Sequence, residues 1–121
     1  MVRILNNYIL HQDHIHFMSP QEISGYVGED PDLVLLDVRE PDERETASIQ
    51  PSEWIPMNEI PSRLVELEPF MTKKLVVYCH HGGRSAQVVG FLKDQGFESV
   101  YNLDGGIDRW SLEIDPEVPR Y

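Results

Sequence analysis

Two short apolar runs set the tightest limit on what this chain can fold into. Asp32-Leu33-Val34-Leu35-Leu36-Asp37-Val38 and Leu75-Val76-Val77-Tyr78-Cys79 show no polar alternation. Each therefore expects cover on both faces, the condition of a strand inside a parallel sheet. Parallel strands need crossover connections, and 121 residues suit one ordinary domain while falling short of two independent cores. The pattern predicts a single α/β domain.

The segments between the runs fit that reading. Ser19-Pro20-Gln21-Glu22 combines an N-cap serine, a proline at the first helical position and a glutamate able to reach back to the cap, so a short helix is expected from there to near Gly28. After a polar stretch from Glu40 to Gln50, Trp54-Ile55-Pro56-Met57 reads as a further strand. Ile60, Leu64 and Leu67 then recur at helical spacing, with Pro61 in the first turn. Ala86, Val89, Gly90, Phe91 and Leu92 predict a helix closed by Gly96, Ser99–Leu103 a strand, and Ile107, Trp110, Leu112 and Ile114 a last helical turn or two. Residues 1–16 show no regular pattern and are expected to form an arm lying on a domain of residues 17–121. The tail from Asp115 reads as irregular.

Composition narrows the function classes. Hydrophobic residues at 40% suffice for a core and exclude wholesale disorder. A formal net charge of −11 repels phosphate backbones and anionic lipid, so neither nucleic acid nor a membrane surface is an expected partner. The sequence has no apolar run long enough to span a bilayer and no signal-peptide core, which makes the cytoplasm the expected compartment. The single cysteine, Cys79, excludes an intrachain disulfide framework and any multi-thiolate metal site. His11, His14 and His16 lack a carboxylate or cysteine partner at convincing spacing, and no metal is expected.

Cys79 stands where a ligand site belongs. In open α/β sheets such sites lie beyond the carboxyl ends of the strands, and this strand runs straight into His80-His81-Gly82-Gly83-Arg84-Ser85. Two glycines let successive N–H groups converge, and the following helix contributes the positive end of its dipole. Such a loop is an anion cradle. Around Cys79 it would favour the thiolate, and Arg84 would add a permanent positive charge. A lone cysteine is otherwise most often a small buried hydrophobe, so the loop, and not the thiol, carries the inference.

Three separated motifs in order resemble those of single-domain rhodaneses: Leu35-Leu36-Asp37-Val38-Arg39-Glu40-Pro41-Asp42-Glu43, Cys79-His80-His81-Gly82-Gly83-Arg84-Ser85, and Asn102-Leu103-Asp104-Gly105-Gly106-Ile107-Asp108-Arg109-Trp110. The resemblance implies a central, mostly parallel sheet of about five short strands with helices on both faces. It also implies a thiosulfate sulfurtransferase-type enzyme that carries sulfane sulfur as a persulfide on Cys79, with no cofactor beyond that covalent intermediate. By the same resemblance, backbone N–H groups from His80 through Arg84 hold the persulfide, Arg84 helps bind an anionic donor, and Ser85 starts the next helix. His80 and His81 are expected to shape acceptor choice. Asp37 and Arg39 are expected to brace the neighbourhood of the loop by charge-assisted hydrogen bonds, Asp104-Gly105-Gly106 to form the turn before the last helix, and Trp110 to lie in the core.

Two features cut across the resemblance. Ala47-Ser48-Ile49-Gln50-Pro51-Ser52 stands where such domains usually carry Gly-His-Ile-x-Gly-Ala, which favours the alternative of a non-enzymatic, partner-binding module. The other alternative, a cysteine-dependent phosphatase or arsenate reductase, meets a shorter loop: four residues separate Cys79 from Arg84, one fewer than in the phosphatases that share this fold. The cradle is thus sized for a single sulfur. The ending Ile114–Tyr121 resembles the tail of rhodanese domains fused to ubiquitin-like-activating enzymes. Beside a small-molecule sulfur donor, this suggests a protein as donor or acceptor.

Overall fold

A computed structural model describes residues 15–121. His11, His14 and nearly all of the expected arm lie outside the described residues; Ile15 and His16 lead into the first strand. Among the described residues five strands form one sheet: β1 (Phe17–Met18), β2 (Leu33–Asp37), β3 (Glu53–Trp54), β4 (Lys74–Tyr78) and β5 (Val100–Leu103). Their order is β1-β5-β4-β2-β3, and every pairing is parallel. The α-helices are α1 (Pro20–Ser24), α2 (Pro41–Thr46), α3 (Gly83–Asp94) and α4 (Gly106–Glu113), with 3-10 turns at Met57–Glu59 and Pro61–Phe70.

Side-chain parity along the central strands sorts the core into two layers. Leu36, Leu75, Val77 and Cys79 face Val88, Val89 and Leu92 of α3. Leu35, Val76 and Tyr78 face Ile23 of α1 and Ile107 and Trp110 of α4. Both faces are covered, as the unbroken apolar runs require. Removing each such aliphatic chain from water contributes about 1.5–3 kcal/mol.

Local chemistry explains most boundaries. The Ser19 hydroxyl accepts from the Glu22 N–H at 3.1 Å, and the Glu22 carboxylate accepts from the Ser19 N–H at 3.0 Å, a closed capping box. The helix it starts ends at Ser24, short of the expected Gly28, because turns closed on the Ile23 and Tyr26 carbonyls take over. Gly28 then reverses the chain at φ +79°.

Other elements also depart from the sequence reading: the strand expected at Trp54–Met57 is limited to Glu53–Trp54. The Ile60, Leu64, Leu67 periodicity falls on a 3-10 segment, not an α-helix. Pro61 and Pro69 lack the N–H an α-helical ladder needs, and Arg63 kinks the segment at φ −116°, ψ 19°. The polar stretch from Glu40 conceals α2, which buries none of its residues and so shows no apolar period. It has a capping box of its own, with Glu43 reaching back to the Glu40 N–H at 3.1 Å.

Candidate active site

The site sits beyond the carboxyl end of β4, where the chain turns into α3. Cys79 continues the parity of Leu75 and Val77, so its side chain points toward the α3 layer, and the residue is only 1% exposed. The loop curls over it. Gly82, at φ +119°, aims its N–H at Sγ from 3.1 Å. The Ser85 N–H approaches at 3.4 Å, and the Ser85 hydroxyl lies 3.3 Å away. Among the residues expected to cradle the sulfur, Gly82 donates to it directly, while Ser85 joins from within the first turn of α3. That turn exposes N–H groups without helical partners and the positive end of the helix dipole.

A second turn locks the first. The N–H groups of Ile107 and Asp108, at the start of α4, donate to the carbonyls of Cys79 (2.9 Å) and His80 (3.1 Å). The loop carbonyls are thereby held on α4, away from the sulfur. This contact demands glycine at position 106: φ is +62°, and a Cβ there would lie 2.6 Å from the Cys79 carbonyl oxygen. The Asp104-Gly105-Gly106 turn is therefore a backbone device.

Asn102 completes the collar, and sequence reasoning missed it. Fully buried on β5, it donates through Nδ2 to the Gly82 carbonyl at 3.0 Å and approaches the Ser85 hydroxyl with Oδ1 at 2.5 Å. The hydroxyl carries one proton and has Sγ, Asn102 Oδ1 and the Gly82 carbonyl within reach. It can point that proton at the sulfur or at Asn102, according to the charge on Cys79. A polar residue inside the apolar run Val100-Tyr101-Asn102-Leu103 was the available signal.

Around the collar stands a rim of charged side chains. Arg84 does not project free into solvent: both its terminal nitrogens meet the Glu43 carboxylate, at 2.6 and 2.9 Å. The guanidinium holds the Glu43 carboxyl down at about 2, partial burial notwithstanding, and Glu43 in turn raises Arg84 above its ordinary value. Tyr121 donates to the same carboxylate at 2.7 Å and accepts from Arg39 at 2.8 Å. Burial pushes the Tyr121 hydroxyl up to about 12.

Asp37 and Arg39 are fully buried. Arg39 grips both Asp37 oxygens, at 2.9 and 2.8 Å, and the Ala47 carbonyl at 2.6 Å. Arg44 and Tyr78 also reach Asp37. The pair thus meets the Cys79 loop indirectly, through Tyr121 and Glu43. The altered Ala47–Ser52 segment stays anchored: Ala47 and Ile49 are buried, and the Tyr78 hydroxyl accepts from the Ile49 N–H at 3.1 Å.

His80 stacks on Tyr121 with ring centres 4.0 Å apart, and the His81 ring lies 3.9 Å from it. Burial and the neighbouring His81 lower the His80 pKa, against the opposing pull of Asp108 and Glu43. One ligand atom each of His80, His81 and Asp108 lie within 4.8 Å of one another. Arg120 already occupies Asp108, at 2.9 Å, and a cation there would have to displace it.

Fold and site together define a cysteine loop, ringed by backbone donors, at the carboxyl edge of a parallel α/β sheet. Residues 19–113 match the rhodanese-like domain family, and the chain belongs to it. Among known proteins, it is 44% identical over 91 residues to the chloroplastic rhodanese-like/PpiC domain-containing protein 12 of Arabidopsis thaliana. That match covers 72% of this chain but 30% of the plant protein. A protein named sulfurtransferase from Allochromatium vinosum is 32% identical over 104 residues, covering 86% of this chain and 95% of its own. The crystal structure of a rhodanese-related protein from Thermoplasma volcanium superposes with a TM-score of 0.72 at 33% identity, covering 82% of this chain and 93% of that one. Among the described residues no helix is long and apolar enough to cross a membrane.

Proposed function

We propose that the chain is a cytoplasmic sulfurtransferase that works through a Cys79 persulfide. One observation carries the reading: Sγ of the only cysteine is met by two backbone N–H groups and a hydroxyl, at 3.1, 3.4 and 3.3 Å. Such donors stabilise negative charge on sulfur without reorganising during the reaction.

In the first half-reaction the Cys79 thiolate attacks the outer sulfur of a donor such as thiosulfate. The new S–S bond forms as the donor's own S–S bond breaks, sulfite departs with the electron pair, and Cys79 is left as an anionic persulfide. In the second, a thiophilic acceptor (cyanide, a thiol or a carrier protein) attacks the outer sulfur, and the Cys79 thiolate leaves. The negative charge passes between Sγ and the outer sulfur, and the Ser85 proton can follow it. No cofactor, nucleic acid or membrane enters either step.

Exposure to thiosulfate is expected to raise the intact mass by about 32 Da, one sulfur atom, and Cys79→Ser to abolish both the adduct and turnover. An unchanged mass after saturating exposure to several sulfane donors would overturn the reading. The near-complete burial of Cys79 favours a second one, a partner-binding module without turnover. Stoichiometric capture of a protein partner, with no adduct from any donor, would select it.

A further inference from the structure

Arginines surround the Cys79 loop, yet none of those the structure describes there is free. Arg84 is spanned by Glu43, Arg120 lies on Asp108 at 2.9 Å, and Arg39 and Arg44 both turn inward to Asp37, at 2.8 and 3.1 Å. A doubly charged donor arriving at this rim meets paired charges, not an open cation. A rim built to collect dianions would leave Arg84 its bidentate face. Here Glu43 occupies that face, and Tyr121 and the Glu40 N–H both donate to the Glu43 carboxylate to keep it in place, at 2.7 and 3.1 Å.

We propose that Glu43 is a specificity-determining residue that cancels Arg84 at the mouth of the Cys79 loop, so that the site ranks sulfur donors by charge and disfavours dianions against singly charged donors. The inference rests on Cys79 being the sulfur-carrying nucleophile. Glu43 touches no reacting atom; it acts through Arg84. Its carboxyl titrates at about 2, so the cancellation holds at any working pH.

Two donors with the same reacting sulfur separate charge from chemistry. Thiosulfate is a dianion, and its S–S bond breaks to release sulfite. Methanethiosulfonate is a monoanion, and the same bond breaks to release methanesulfinate; in both cases the outer sulfur passes to the Cys79 thiolate and the electron pair leaves with the sulfur–oxygen anion. The second-order rate constant of this single half-reaction is read from the growth of the sulfur adduct in the intact mass. Electrostatic energy scales with ligand charge, so Glu43→Gln is expected to raise the constant roughly tenfold for thiosulfate and roughly threefold for methanethiosulfonate. Glu43→Asp, which keeps the charge, should retain the wild-type ranking. Equal gains for both donors, or no gain for either, would overturn the proposal.

The unaltered protein supplies an independent check. With Arg84 cancelled by Glu43 and the whole chain acidic, added salt should leave the thiosulfate constant unchanged or raise it, whereas a severalfold fall with salt would reveal a free cation and overturn the filter. If neither donor adds sulfur to the wild type, the sulfurtransferase reading fails and the filter with it. If both add sulfur and Glu43→Gln leaves their ratio unchanged, the filter alone fails.

Discussion

The collar that holds Cys79 and the rim that surrounds it are built from different materials. The collar is mostly main chain: the N–H groups of Gly82 and Ser85 on the sulfur, and those of Ile107 and Asp108 on the loop carbonyls. The rim is made of long side chains from three separate segments, Arg39 and Glu43 from one and Arg84 and Tyr121 from the others, linked by charge-assisted hydrogen bonds. Backbone groups sit where the turns place them, and such a donor is lost only by changing a turn. Rim groups are exchangeable one at a time. The division suits a site in which the collar fixes which atom reacts and the rim adjusts which molecules approach.

The comparison breaks most sharply at Gly106. Gly106→Ala forces a side chain into left-handed backbone against the Cys79 and His80 carbonyls, and a loss on the order of 2–4 kcal/mol is expected by chemical denaturation. An unchanged midpoint would mean that the two turns are not locked together. Asn102→Ala comes next. It leaves the buried Gly82 carbonyl and Ser85 hydroxyl short of a partner, for about 1–3 kcal/mol, and slows sulfur loading of Cys79 by roughly tenfold to a hundredfold. Full loading speed in a folded Asn102→Ala protein would reduce that residue to packing.

Acid sharpens the contrast, because the rim titrates in a range where the collar has nothing to protonate. The Glu43 carboxyl is held at about 2 against an ordinary 4.5, chiefly by Arg84. A depressed carboxyl stabilises the fold above its unfolded value, and that contribution is lost as pH falls from 4.5 toward 2. The stability difference between the wild type and Glu43→Gln should therefore shrink across this window; a constant difference would place the Glu43 contribution outside its charge. The smallest effect belongs to Tyr121→Phe. It removes one hydroxyl from a partly exposed ring that keeps its stacking on His80, and about 0.5–1.5 kcal/mol is expected from urea midpoints. A loss twice as large would make Tyr121 part of the core.

The same division decided what the sequence could reveal. The central strands, the Ser19 cap and the Cys79 loop were legible because each is encoded locally, by an unbroken apolar run, a capping box or a glycine pair. The five-strand parallel sheet follows from them and from the family resemblance. Helix α2 was not legible, since nothing on it is buried, and the Pro61–Phe70 segment misled because its apolar spacing imitates an α-helix that its prolines forbid. The anchored Ala47–Ser52 segment shows that a motif can change its letters while Ala47 and Ile49 keep their places in the core. Arg84 was expected to face an incoming donor. Its pairing with Glu43, 41 positions earlier, and the return of Tyr121 across the site leave no local trace. Asn102 alone left one, an amide in an otherwise apolar strand.

The outermost strands carry a consequence for handling the protein at high concentration. Among the described residues β1 and β3 contain two residues each, so the margins they form offer few unsatisfied backbone groups on which another copy could dock as an added strand. Margins this brief, on a chain with a net charge of −11, work against edge-to-edge aggregation and fibril growth.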